Sequence, residues 1–205
     1  MALDWLVLLT FVPASLALNV TPGADMMFCV GQGVRSGAGA AWKGSAGVAV
    51  GGLIHALVAG LGVGAIVAAH PVAFDAIRWV GAAYLLWMAW QILRSKARPG
   101  GAEASAGRPF RDGLLVNLSN PKVILFILAF VPQFVDPTQP VLPQFLIFGA
   151  VLSLGGLIIN GVVGALAGRL QQRFVRGARG TRWMQRISAA IFAGLALRLI
   201  LLQRS

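Results

Sequence analysis

Long apolar runs, separated by short basic connections, constrain this chain more than any other feature. Six runs can be traced: Trp5–Val30 (interrupted midway), Ala46–Ala69, Phe74–Leu93, Leu114–Val135, Val141–Ala167 and Ile187–Leu202. A helix needs about 20 residues to cross a bilayer. Most of the runs reach that length, and the last needs its flanks to help. Strands at this depth would have to close into a barrel, with apolar and polar residues alternating along each segment. These runs do not alternate. The chain is 58% hydrophobic and only 11% charged, whereas a soluble domain carries about a quarter charged residues. These features predict one polytopic all-α membrane domain over residues 1–205, with six transmembrane helices embedded in a lipid bilayer.

The cations give the orientation. Arg35 and Lys43 follow the first run. Arg94, Lys96, Arg98, Arg108 and Arg111 follow the third, and Arg169, Arg173, Arg176, Arg179, Arg182 and Arg186 follow the fifth. That puts thirteen positive charges on one side, against three (Arg78, Arg198 and Arg204) on the other. Basic connections stay in the cytoplasm, so both termini are expected outside. The net charge of +11 would suit nucleic acid if the basic residues shared a face. They sit in the gaps between apolar runs instead, so no nucleic-acid partner is expected. The start, MALDWLV, lacks a positive n-region, so the first run reads as a retained helix and not as a signal peptide.

The connection SKARPGGAEASAGRP, Ser95 to Pro109, is rich in Gly, Pro, Ala and Ser and reads as a linker. It divides the chain into a first three-helix half, residues 1–94, and a second, residues 110–205, with 95–109 as a cytoplasmic linker. Three is odd, so the second half enters the membrane from the opposite side. That is the geometry of two inverted three-helix repeats, common in secondary transporters. The first helix of each half is broken. In the first, LALNVTPGADMM places Asn19, Thr21, Pro22, Gly23 and Asp25 inside an apolar run. In the second, LLVNLSNPKVILF places Asn117, Ser119, Asn120, Pro121 and Lys122 in another. Proline removes a backbone donor and clashes with the carbonyl four residues back, so each helix must kink or part. A parted helix offers free N–H groups on one side and free carbonyls on the other, which suits a zwitterion. Paired breaks at corresponding positions of two halves point to a transport site.

At these residues the chain resembles the lysine exporter / homoserine–threonine exporter family (LysE/RhtB) of bacterial amino-acid efflux proteins. That family's first helix carries a PGP motif, here TPGAD, Thr21 to Asp25, with Ala24 in place of the second proline and so with a retained N–H. FRDGLLVNLSNPKVILF, FVPQFVD and GAAYLLWMAWQILRS match its second-half and third-helix patterns, and the likeness covers essentially the whole chain. The resemblance implies export of amino acids or related small metabolites across the bacterial cytoplasmic (inner) membrane, by exchange for protons.

Asn19, Thr21, Pro22, Gly23, Asn117, Ser119, Asn120, Pro121 and Lys122 are therefore the candidate substrate-binding residues. The alternative for the polar ones is to re-satisfy the opened backbone. Lys122 can pair with Asp25, bind a substrate carboxylate, or snorkel to the inner surface. Asp25 is the only acid well inside an apolar run, expensive there and by default functional. It and His55 are the candidate proton-coupling residues. His55 and Asn160 also fit as hydrogen-bonded packing residues. Gly47 and Gly51, Gly60 and Gly64, and Gly164 and Gly168 form Gly-x-x-x-Gly pairs. These let helices approach closely within one chain or in a homo-oligomer. A passive channel for small solutes is the rival function, weakened by a single Asn–Pro pair. An enzyme is not expected, since an aspartyl mechanism needs two acids. One cysteine, Cys29, and two histidines leave no redox or metal site, and no pattern asks for a cofactor.

Overall fold

The computed structural model describes residues 5–69 and 107–170, with isolated helical positions at 79, 80, 83, 86, 87, 90, 94, 186 and 190. Apart from those isolated positions, the third and sixth apolar runs lie outside the described residues, as do most of the linker and Lys96, Arg98, Arg173, Arg176, Arg179 and Arg182 of the basic connections. Among the described residues the chain is helical throughout, with no strand. In chain order the helices are α1 (Trp5–Val20), α2 (Ala24–Ser36), α3 (Ala38–Ala69), α4 (Pro109–Leu118), α5 (Pro121–Phe130) and α6 (Val141–Leu170). A 3-10 turn, Val131–Phe134, extends α5.

Two helices, over Ala38–Ile66 and Val141–Ala167, are long and apolar enough to cross a membrane on their own. Two bent pairs pass the same test together: Val7–Val20 with Ala24–Ser36, and Pro109–Leu118 with Pro121–Phe134. Both pairs bend by 54°. The first and fourth apolar runs are thus each a bent helix pair, and the described residues make two candidate spans, or four if each bent pair is one span. The second run starts eight residues earlier than its apolar core, because α3 runs on through Lys43 to Ala38. The first basic connection is correspondingly almost all helix. Only Gly37 separates α2 from α3, at φ 84, a left-handed conformation that side chains rarely adopt, and its N–H caps α2 on Gly33 O at 3.1 Å.

α3 and α6 lie along each other at the centre, with α4 packed on α3, α2 on both, and α1 on α6. Lipid tails are as apolar as leucine, so burial alone does not drive helices together in a bilayer; close packing of small residues does. A Cβ on Gly33 would run into the Gly164 backbone, one on Gly113 into the Gly44 carbonyl, and one on Gly47 into the Phe110 carbonyl. Gly51 abuts the Asn117 side chain, and Gly60 abuts Phe145. Gly47, Gly51, Gly60 and Gly164 of the Gly-x-x-x-Gly pairs therefore pack helices within the chain, as do Gly33 and Gly113 outside them. Other positions of α3 and α6 carry large exposed apolar side chains, among them Leu57, Val58, Leu61, Leu154 and Ile158, as suits helices in a bilayer. Toward the predicted outer end, Phe11, Phe126, Phe130, Phe145 and Phe148 are fully buried in one cluster with Phe134 packed on it. Their rings meet in stacked, tilted and edge-on pairs, such as Phe11–Phe148 at 4.8 Å. Toward the opposite, predicted inner end a smaller cluster joins Phe28, Cys29 and Val48 with Val116.

Candidate functional site

The site grows from what each proline removes. Pro22 has no N–H, so the Leu18 carbonyl, four residues back, loses its helical donor. Thr21 closes the last turn of α1 instead, its N–H and hydroxyl both donating to Ala17 O at 3.0 and 2.6 Å. The orphaned Leu18 O accepts from Lys122 Nζ at 3.1 Å, and the same ammonium donates to Thr21 O at 3.0 Å. Gly23, the N-cap of α2, has extended backbone open to any residue. Its lack of a side chain provides room, since a Cβ there would stand 3.1 Å from Lys122 Nζ. α2 then begins at Ala24 with Asp25 in its first turn, an acid at the positive end of a helix.

The second break is repaired reciprocally. Pro121 deprives the Asn117 carbonyl of its helical donor, and that carbonyl accepts from Asn120 N–H at 2.9 Å and from His55 Nε2 at 3.1 Å. A carbonyl only accepts, so Nε2 carries the proton in this contact. Asn120 caps α5, its Oδ1 accepting from Lys122 N–H at 3.1 Å. Each missing proline donor is thus replaced by a cationic or imidazole side chain from the other half of the chain.

Between the two breaks lies a cavity with about 20 Å³ of space for water, room for about one molecule. Six helices border it. Leu18 and Asn19 come from α1, Asp25 from α2, Gly52 from α3, Asn117 from α4, Val123 from α5, and Ser153, Gly156 and Asn160 from α6. Asn117 Nδ2 donates to Asp25 Oδ2 at 2.9 Å. An ionised carboxylate can only accept, which sets the amide's orientation and turns Asn117 Oδ1 away. Asp25 Oδ1, Asn117 Oδ1 and Ser153 Oγ have no hydrogen-bond partner, although their residues are only 8%, 2% and 7% exposed. Buried polar atoms are paired in the great majority of cases. Asn117 Oδ1 packs against Gly51, whereas Asp25 and Ser153 line the cavity with an unpartnered oxygen each, which marks a place suited to a polar guest.

Of the residues singled out from the sequence, Asn19, Asp25, Asn117 and Asn160 line the cavity. Thr21, Pro22, Gly23, Asn120, Pro121 and Lys122 shape and join the breaks behind it. His55 stands one hydrogen bond behind the wall, on the Asn117 carbonyl. Ser119 is exposed at the end of α4 and borders no part of the cavity. Lys122 is held by carbonyls of the first break and forms no ion pair with Asp25. Asn19 Nδ2 donates to Leu152 O at 3.0 Å, tying α1 to α6. Ser153 escaped the sequence reading. Its signal is periodic: Ser153, Gly156 and Asn160 recur at helical spacing along one stripe of an otherwise apolar helix.

The family model for the LysE type translocator matches residues 16–203. An "Uncharacterized membrane protein" of Vibrio cholerae is 31% identical over 202 residues, covering 96% of this chain and 98% of the relative. The homoserine/homoserine lactone efflux protein of Salmonella typhi is 31% identical over 180 residues, covering 86% of this chain and 85% of its own length. The leucine efflux protein of an Enterobacter species is 34% identical over 133 residues, covering 62% and 63%. No solved structure matches the chain.

Proposed function

We propose that this chain, which belongs to the LysE type translocator family, exports an amino acid or a closely related small metabolite across the bacterial inner membrane in exchange for protons. Membership makes it a membrane transporter and not an enzyme. One observation carries the finer reading. The two broken helices are fastened to each other by Lys122 at their breaks, beside a cavity bordered by the carboxyl of Asp25. Named relatives export homoserine, homoserine lactone and leucine, which sets the size of substrate to try first.

The physical need for a proton is direct. A zwitterion carries no net charge, so membrane potential alone does not drive it, and something charged must move as well. Asp25 is the carboxyl lining the cavity, able to gain and lose that proton. With room for about one water, the cavity must widen to admit an amino acid. Inverted three-helix halves rocking about the joined breaks would supply that movement, opening the aromatic cluster on one side and the Phe28–Cys29–Val48 cluster on the other. The outward termini follow from the cation asymmetry.

The test is transport by the purified full chain in lipid vesicles, with labelled homoserine, leucine, threonine and lysine and with pH set independently on each side. The expected result is saturable exchange, accelerated by a proton gradient opposed to substrate flow. Equilibration without saturation or counterflow would identify a channel and overturn the proposal.

A further inference from the structure

The polar inventory of the cavity says which end of a substrate it holds. Asp25 Oδ1 and Asn117 Oδ1 are buried acceptors without a donor, and Ser153 Oγ, on the facing helix α6, is unpartnered too. The hydroxyl can accept or donate, whereas an ionised carboxylate only accepts. A guest that satisfies Asp25 Oδ1 and Ser153 Oγ together is best served by bringing more than one N–H or O–H group. A primary ammonium brings three donors and no acceptor.

A carboxylate finds no such welcome. Lys122 is the nearby cation, and its ammonium is already committed to Leu18 O and Thr21 O. Among the described residues no lysine or arginine borders the cavity. The remaining donors are neutral: Asn160 borders the space, and the amide of Asn19 is tied to Leu152 O. A carboxylate in the cavity would also face Asp25 without an intervening cation, and like charges in a poorly solvated space repel strongly.

We propose that the cavity is an ammonium-recognition site. It holds the protonated amino group of the substrate through Asp25 Oδ1 and Ser153 Oγ, with Asn117 orienting the acid, and it does not require the substrate's carboxyl group. The ligand class is small primary amines, including amino acids whose carboxyl is closed as a lactone or an amide. Asn117 positions the acid: its Nδ2 donates to Asp25 Oδ2 at 2.9 Å, which leaves Asp25 Oδ1 as the unpartnered acceptor. Its own Oδ1 packs against Gly51, and His55 holds its carbonyl behind the wall. The inference rests on the transporter reading for its biological meaning, but not for its test.

That test is ligand stabilisation of the detergent-solubilised full chain. Its read-out is the temperature at which Cys29, the single cysteine and a buried one, becomes open to a thiol-reactive dye. Two matched sets serve as probes: leucine, leucinamide, N-acetylleucine and 4-methylpentanoate; and homoserine, homoserine lactone, N-acetylhomoserine and 4-hydroxybutanoate. Within at least one set, the compound with a closed carboxyl should half-saturate within about threefold of its parent. The amine-blocked and amine-free members should need at least about tenfold more, the loss expected when a charged hydrogen bond is removed. Ser153→Ala should narrow that gap by weakening only the amines. Stabilisation by the acids lacking a free amine, a tenfold loss on closing the carboxyl, or no stabilisation by any amine would each overturn the proposal. Amine-selective binding without vesicle exchange would instead sink the transporter reading and keep the site, so the two failures are distinguishable.

Discussion

Replacing Lys122 by methionine removes the ammonium that fastens the two breaks while keeping nearly all of its aliphatic stem. Two hydrogen bonds from a charged donor are lost, at 3.1 Å to Leu18 O and 3.0 Å to Thr21 O. Bonds of this kind contribute about 1.5–3 kcal/mol each. Part of that loss is returned because an ammonium no longer has to be kept out of water, which leaves a net destabilisation of about 2–4 kcal/mol. For a chain of this length each kcal/mol moves the unfolding midpoint by about 2–4 °C, so the midpoint should fall by about 10 °C. Thermal exposure of Cys29 to a thiol dye, in detergent, measures it. The second arm is a double-mutant cycle. Pro22→Ala restores an N–H that can reach Leu18 O, so in the Lys122→Met background it should recover part of the loss, with a coupling of about 1 kcal/mol or more. A midpoint for Lys122→Met within about 2 °C of wild type, or strictly additive effects, would refute the view that Lys122 replaces the donor Pro22 lacks.

Gly33→Ala forces a Cβ into the Gly164 backbone, whereas Gly62→Ala meets nothing within 4 Å. The first should destabilise by about 1–3 kcal/mol and the second should be neutral or slightly stabilising, both read by the same Cys29 assay. Thr138→Cys, in a Cys29→Ala background, should react with an impermeant thiol reagent from the outer side of intact cells, and labelling only from the cytoplasmic side would reverse the proposed orientation. Asp136, in that same loop, accepts from the Thr138 hydroxyl at 2.6 Å and the Thr138 N–H at 2.9 Å. These bonds hold its carboxyl below the ordinary carboxylate range. A depressed value in the folded chain means that Asp136 supports the loop fully above the unfolded range, near about pH 4, and loses that effect as pH falls through its own lower value. Thr138→Ala should therefore move the titration upward toward the ordinary value, as read from the carboxyl carbon by NMR.

Much of this arrangement was legible in the residues alone, for a physical reason. Bilayer depth makes every charge and every proline conspicuous, so the two breaks and Asp25 stood out against leucine, valine and alanine. Their order on the chain also implied that they could meet. What the residues could not give was who repairs whom. That Lys122 serves Leu18 O and His55 serves Asn117 O depends on how α1, α3, α4 and α5 approach in space, and no local pattern encodes a contact between residues 104 and 62 positions apart. Lys122 fitted an ion pair with Asp25 as well on paper. The structure settles its ammonium on two carbonyls because those lost their helical donors and lie within reach. Ser119 looked equivalent to Asn117, yet two residues along a helix turn it by about 200°, onto the exposed side. Ser153 was overlooked because one serine in a long apolar helix carries no signal until its neighbours at helical spacing are considered together. Gly37 gave no hint that α3 would begin at once, since the polar stretch around Lys43 looked like a loop and is helix.

The most direct test of the central claim, that Asp25 at the joined breaks carries the proton that drives export, is the pH dependence of transport by Asp25→Asn in lipid vesicles. The substitution keeps the shape of the side chain and removes its titration. At saturating substrate the variant should still exchange labelled amino acid across the membrane, but an imposed pH gradient should no longer drive net export against a substrate gradient. Export uphill at the wild-type rate and with the wild-type pH dependence would contradict the account.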